Sequence, residues 1–307
     1  MKDTSVNRRR FLAKTSIAAA AMACSDLALF AQRRDPFKIS LAEWSFNKAL
    51  FAKQMDHMDF PQTAKSVYGI DAIELVNQFF MNKARDQRYL AEFKKRADGE
   101  GVKILLIMCD DEGNLGDPDS KKLAQAVENH HKWAEAAKFF GCHSIRVNAE
   151  TRGVGTFEEQ QKRAAEGLAQ LSQYCSKLGL NCIVENHGRL SSNGSWLAGV
   201  MKLVDLPNCG TLPDFGNFDL GGGKTYDRYK GVEEMMPYAK AVSAKSNDFD
   251  AAGNEIHTDY RRMLRIVMKA DYHGYVGIEY EGRKVSELEG VWATKRLLDR
   301  IRNEFAG

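Results

Sequence analysis

The sequence predicts an α/β fold in the form of a closed, parallel (β/α)8 barrel. Three observations point to it: eight short strand-like runs, helical patterns between them, and no compositional break from Phe37 onward. The runs are Lys38–Glu43, Ala72–Val76, Lys103–Met108, Ser144–Asn148, Asn181–Asn186, Gly210–Pro213, Ala241–Lys245 and Tyr275–Tyr280. Over Lys121–Phe140, Leu123, Val127, His130, Ala134 and Ala137 recur at three- and four-residue steps, one face of a helix. Leu288, Val291, Trp292, Leu298 and Ile301 do the same near the end. At 307 residues and 44% apolar, the chain can bury one large core, so residues 35–307 are expected to form one barrel domain. An open doubly wound sheet is the alternative. No Gly-x-Gly-x-x-Gly fingerprint follows the first run, which weakens that alternative and dinucleotide binding with it.

Period-two alternation assigns a direction to each side chain. In the second run Ile73 and Leu75 oppose Glu74; in the fourth, Ile145 and Val147 oppose Ser144, Arg146 and Asn148. In the seventh, Val242 and Ala244 oppose Ser243, Lys245 and Asn247. The apolar set is expected to pack on helices and the polar set to face the barrel interior. Polar inner residues near the C-terminal ends of barrel strands line active sites.

Three carboxylates close strand-like runs: Glu185 in Ile183-Val184-Glu185-Asn186-His187, Asp214 after Gly210–Pro213, and Glu279 in Gly277-Ile278-Glu279-Tyr280-Glu281. Their spacing matches strand–helix repeats, so they are expected to converge on a hard divalent cation (Mn, Mg, Co or Zn). Such a site can grip adjacent sugar oxygens, polarise a carbonyl and stabilise the enediolate left when a neighbouring C–H loses its proton. Glu185 and Glu279 come from non-adjacent strands and suit removal and return of that proton. The plainer expectation is structural ion pairs of Glu185 and Glu279 with Arg146 and Lys245. His187 and Asn217 are placed to bind sugar hydroxyls, as are Arg146, Asn148 and Glu74 on inner strand faces. Trp44 and Phe46 after the first strand can stack on a ring. His130 sits on an apolar stripe and reads as packed, whereas His57, His131, His143 and His273 show no recognisable partner. Gly221-Gly222-Gly223-Lys224 lacks the phosphate-loop spacing and reads as a flexible lid.

Charge is unevenly placed. Residues 1–34 hold seven basic and two acidic residues, leaving the body with 37 basic against 39 acidic, a balance of −2 that offers nucleic acid little attraction. The leader, Asn7-Arg8-Arg9-Arg10-Phe11-Leu12-Ala13-Lys14 followed by an apolar run from Thr15 to Ala23, resembles a twin-arginine export signal. A periplasmic or otherwise exported protein is expected, without a stable membrane span because the apolar run is short and begins beside Lys14. Ala21-Met22-Ala23 fits a cleavage site, and Cys24 leaves a lipid anchor open. The other cysteines, Cys109, Cys142, Cys175, Cys182 and Cys209, are odd in number and lack Cys-x-x-Cys spacing. They read as buried small apolar residues, with no zinc site.

From Ser40-Leu41-Ala42-Glu43-Trp44-Ser45 to Val276-Gly277-Ile278-Glu279-Tyr280-Glu281-Gly282, the body resembles the xylose isomerase-like superfamily of TIM barrels. These are sugar isomerases and epimerases, together with endonucleases of the AP endonuclease family 2 type. The resemblance implies a metal held by a Glu after strand five, an Asp after strand six, a His or Gln at strand seven and a Glu after strand eight. Glu185, Asp214 and Glu279 match the acids, and the resemblance makes Glu185 and Glu279 the proton-transfer pair. Strand seven departs: Ser243-Ala244-Lys245-Ser246 carries no histidine. The fourth ligand is then a water, Asn247 or His257 from the next loop; alternatively Lys245 stands there as a fixed positive charge or a catalytic acid. The expected activity is metal-assisted isomerisation or epimerisation of a free sugar or sugar derivative. The runner-up is a lyase or hydrolase that enolises a 3-keto-glycoside and expels its β-substituent. A repair nuclease would need more histidines at strand ends, and a non-catalytic sugar-binding module is the fourth reading. The expected partner is a small carbohydrate, with homo-oligomerisation left open.

Overall fold

The computed structural model describes residues 35–306; the expected leader over residues 1–34, with its export motif and Cys24, lies outside them. Eight parallel strands follow one another round the barrel: β1 (Lys38–Ala42), β2 (Ala72–Val76), β3 (Lys103–Met108), β4 (Ser144–Val147), β5 (Asn181–Glu185), β6 (Cys209–Leu212), β7 (Val242–Ser246) and β8 (Tyr275–Tyr280). The continuous ladder runs β6-β5-β4-β3-β2-β1-β8-β7. The remaining seam, between β6 and β7, is joined by parallel bridges at Thr211–Ala239 and Asp214–Ser243. There Ser243 N donates to Pro213 O at 3.0 Å, and Phe215 N donates to Ser243 O at 3.1 Å. Asp214 therefore sits in the seam itself.

Helices α1 (Gln87–Gly99), α2 (Ser120–Phe140), α3 (Phe157–Lys177), α4 (Gly194–Val204), α5 (Arg228–Met235), α6 (Tyr260–Lys269) and α7 (Glu287–Ala306) cover the outside. Local chemistry marks where they start. Asp86, Asp119, Asn193, Asp227 and Asp259 accept first-turn N–H bonds, and Thr156 forms a capping box with Glu159. Gly141, at φ 81°, ends α2 in the left-handed region that a side chain would strain. The β1–β2 crossover differs from the expected single helix, being assembled from short turns including Asn47–Phe51 and Thr63–Val67.

The alternation read from sequence holds. Ile73, Leu75, Ile145, Val147, Val242 and Ala244 join the large core between strands and helices. Inside the barrel a smaller cluster of Ala42, Val76, Leu106, Met108, Ile183, Leu212 and Ala241 forms an apolar plug. All five members of the α2 stripe are buried, His130 among them. In α7, Leu288 departs from the expected stripe: it is 53% exposed, although its carbonyl accepts from the Tyr68 hydroxyl. The five described cysteines are free and buried. Gly221–Gly223 all have positive φ and form the tip of a small antiparallel hairpin, Asp219–Gly221 with Lys224–Thr225. No helix among the described residues is long and apolar enough to cross a membrane.

Candidate active site

Each of the three acids lies where its strand ends at the same rim, and one oxygen from each of Glu185, Asp214 and Glu279 lies within 4.8 Å of the others. Asp214 is held most firmly. Its Oδ1 accepts from Gly216 N and Asn217 N at 2.8 Å, its Oδ2 from the Ser243 hydroxyl at 2.6 Å, and Asn186 clasps its backbone from both sides. Glu185 Oε1 accepts from Asn217 Nδ2 at 2.8 Å. Glu185 Oε2 lies 2.8 Å from Arg146 Nε as an ion pair, yet the N–H is misaligned and neither atom has a hydrogen-bond partner. Glu279 Oε1 is 3.0 Å from Lys245 Nζ, and its Oε2 is 3.3 Å from the Ser243 hydroxyl.

A charged belt surrounds the triad. Arg146 Nη1 and Asn148 Nδ2 both donate to Asp110 Oδ1 at 2.7 Å. Lys245 also reaches Glu281 at 3.3 Å, and Glu281 accepts from Trp44 Nε1 at 2.6 Å. Gly216 has no side chain because a Cβ there would lie 2.9 Å from the Lys245 stem. The structural ion pairs expected from sequence, Arg146–Glu185 and Lys245–Glu279, are thus both present, inside the same cluster as the triad.

Burial and mutual repulsion leave acid in excess. Within the cluster Glu74, Asp110, Glu185, Asp214, Glu279 and Glu281 face only Arg146 and Lys245 as cations. Desolvation first, then neighbouring carboxylates, push Glu185 and Asp214 up to about 7, against the pull of Arg146 and Lys245 respectively. Burial lifts Glu74 to about 7 as well, although Ser40 donates to it. At Asp110 and Glu281 burial acts upward too, but Arg146 and Lys245 overcome it and hold those carboxyls below their ordinary values. Burial alone would lower Lys245, yet four acids, Glu279 foremost, raise it well above its ordinary value. His187, open to solvent at the rim, is lowered by crowding there and then by Arg146 and Lys245.

A cavity of about 330 Å³ opens above this cluster, lined among others by Trp44, Asp110, Arg146, Asn148, His187 and Glu279. Of the triad only Glu279 borders it; Glu185 and Asp214 lie fully buried behind polar groups. Two residues expected there are elsewhere. Glu74 is 1% exposed and packs over Gly277, two residues before Glu279 on β8, so it lies one layer deeper and outside the cavity wall. His257 lies in the loop after β7, 3.9 Å from Asp248 and beside a different cavity, because Glu255 Oε2 ties down the backbone N–H groups of His257 and Thr258. Asn217 turns its amide onto Glu185. Phe46 is core, packed against Phe60 and Tyr68. Some histidines also gain partners that sequence did not reveal: His57 pairs with Glu43 at 2.6 Å, and His131 stacks on Tyr174.

Three site residues escaped sequence reading, Asp110, Glu281 and Asn186, and Ser243 was placed on the inner face with Lys245 but without a role. Asp110 follows β3 as the acids follow β5 and β6, but Asp110-Asp111-Glu112 reads as a solvated acidic run.

A family description, xylose isomerase-like TIM barrel, matches residues 62–303. The chain belongs to this family. Among curated proteins no sequence matches it. A xylose isomerase-like TIM barrel protein from Mycobacterium smegmatis, crystallised in complex with magnesium, superposes with TM-score 0.63 and 17% identity over 88% of this chain and 98% of its own. An IOLI protein with a bound zinc atom superposes at 0.69 and 14% identity, over 87% and 99%. The 3-keto-D-glucoside 4-epimerase of E. coli, in its apo form, superposes at 0.61 and 17% identity, again over 87% and 99%. At such identities the xylose isomerase-like barrel is what the proteins share.

Proposed function

We propose that this xylose isomerase-like protein is a sugar isomerase or epimerase that moves a proton on the carbon beside a carbonyl, with a divalent cation held by Glu185, Asp214 and Glu279. The observation behind it is the triad itself: three carboxylates with one oxygen each within 4.8 Å of the others, in a cluster with more acid than base where Glu185 Oε2 lacks a hydrogen bond. These donors fit a cation. All are hard oxygens, which favours Mg or Mn over Zn, whose sites draw on histidine and cysteine. Bound there, the cation supplies an electrophile for substrate oxygens as negative charge develops on them.

The remaining work falls to the chain's own groups. Glu279 borders the cavity and takes the proton. Glu185 is buried behind Arg146 and Asn217, so it returns the proton only to a substrate that displaces those groups. Arg146 and Lys245 keep the two carboxylates apart and oriented. His187, Asn148 and Asp110 at the cavity wall bind hydroxyls, and Trp44, stacked on Phe79 with its Nε1 tied to Glu281, offers a fixed ring face. The 3-keto-D-glucoside epimerase and the magnesium-bound protein of the same fold support this reading. The leader adds that the enzyme meets its substrate after export, where unphosphorylated sugars prevail.

One observation favours a second reading. Lys245 Nζ stands 3.0 Å from Glu279, so a fixed positive charge adjoins the base. On a 3-keto-glycoside, proton removal by Glu279, with the Lys245 ammonium stabilising the departing β-oxygen and water protonating it, gives elimination rather than epimerisation. Incubation with ketoses and 3-keto-glycosides in deuterated water separates the two. Deuterium in an unchanged skeleton supports epimerisation, and a released aglycone supports elimination. No exchange and no release from a broad panel, with Mg or Mn present, would remove both.

A further inference from the structure

We propose that the mouth of the site carries a second compartment for the other half of a two-part substrate, so that the enzyme prefers glycosides to free monosaccharides. This rests on the sugar-processing reading above. Beside the cavity over Glu279 lies a larger one of about 550 Å³. The two share Glu150 and Ser191 as common wall, so they lie side by side and a two-part ligand reaching over that wall from Glu279 would meet the second.

The second compartment is built rather than incidental. Its walls come from the segments after β4 and β5, from Phe157 at the start of α3 and from the tip of the glycine hairpin. Thr151 donates to Gln160 Oε1 at 2.6 Å and Gln160 donates to Gly155 O at 2.9 Å, which fixes one side. Ser191 accepts from His187 N at 3.0 Å and donates to Gly188 O at 2.8 Å, which fixes the partition. The chemistry is mixed: Phe157, Leu190 and Leu220 give apolar faces, while Gln160 and Asn193 give amides. Arg189 and Glu150 both line it, one charge of each sign, which does not make a phosphate cradle. An aromatic or aliphatic face beside a few amides suits a ring with C–H faces and hydroxyls, carried across the partition on a glycosidic oxygen. The glycine hairpin, with three successive positive-φ residues, closes the remaining side with bare backbone at Gly221 and Gly222.

The test compares a 3-keto disaccharide, a 3-keto phenyl glycoside and the free 3-keto hexose, reading deuterium exchange and aglycone release. We expect kcat/KM to be about tenfold higher for at least one glycoside, mainly through KM. The disaccharide and phenyl arms tell a sugar occupant from an aryl one. Leu190→Trp, which fills the compartment, should shrink that preference about fivefold or more. Phe157→Ala, at a solvent-facing helix start, should do the same without touching the core. Equal kcat/KM for glycosides and the free sugar, or a preference unmoved by both variants, overturns the compartment while leaving the active-site reading intact. If no substrate reacts, the active-site reading fails, and calorimetry with phenyl glucoside still decides the compartment: binding weakened by Leu190→Trp supports it, and no binding to the wild type refutes it.

Discussion

Two buried acids at the barrel top, on opposite sides of the ring of strands, behave in opposite ways. Glu43, just beyond β1, is fully buried outside the barrel; its Oε1 meets His57 Nδ1 at 2.6 Å, and its Oε2 accepts from Val76 N at 3.0 Å. His57 is itself clamped between Phe80 and Phe93, with ring centroids 4.6 and 4.5 Å away. Glu112 is similar, bonded to Trp133 Nε1 at 2.5 Å and to Lys132. Glu185, equally buried inside the barrel, keeps an oxygen with no hydrogen bond and shares two cations with five other acids. A buried carboxylate with both oxygens served is architecture, because its desolvation is offset on the spot. One that remains unmatched is what the proposed cation and substrate would complete.

That contrast breaks most sharply in paired variants. Glu279→Gln should cut kcat by about a thousandfold while changing the melting temperature little, since relief from the neighbouring carboxylates offsets the lost ion pair with Lys245, which keeps Glu281. Full activity in that variant would falsify the assignment of the base. Glu43→Ala should do the reverse, losing about 3 kcal/mol of stability in denaturant titration as His57 and Val76 N lose their partner. A loss below about 1 kcal/mol would show that the outer pair is dispensable.

Cation binding sharpens the comparison next. Mg or Mn at a hundredfold over its Kd should stabilise the protein by about 2.7 kcal/mol, and Asp214→Asn should abolish the effect, while Glu43→Ala retains it. Thermal shift measurements decide this, and an equal response of the Asp214 variant sinks the metal site. The pH response follows from the raised carboxyls. Glu74, Glu185 and Asp214 reach about 7 in the fold, so between their ordinary range and pH 7 the folded state binds more protons than the unfolded. Metal-free protein should therefore lose stability as pH rises from 5 towards 8. A rise over that interval in chelator-treated protein contradicts the charge excess. The smallest expected effect is at Ser243→Ala, which removes the hydroxyl shared by Asp214 and Glu279 at a cost of about 1 kcal/mol. No change in stability or cation affinity would make that hydroxyl a bystander.

Much of this was legible in the chain alone. The strand ends were read to within a residue, because a barrel strand needs a short apolar outer face and turn residues after it, and both are local properties. Inner and outer faces followed from period-two alternation, so Glu74, Arg146 and Lys245 were assigned to the interior before any packing was known. The triad was visible as three acids closing strands.

Tertiary structure alone decided depth and pairing. Glu74 and Glu279 are both inner-facing glutamates on apolar strands, yet strand stagger and the missing side chain of Gly277 put one beneath the other. His57 appears partnerless in sequence because Glu43 is 14 residues away and the aromatic clamp forms only when α1 packs on the barrel. His257 was near enough in sequence to serve the metal, but Glu255 fixes its loop on another face. Residue type and period determine which way a side chain points. How far it sits from water, and beside which charge, depends on register and on what neighbouring glycines leave open.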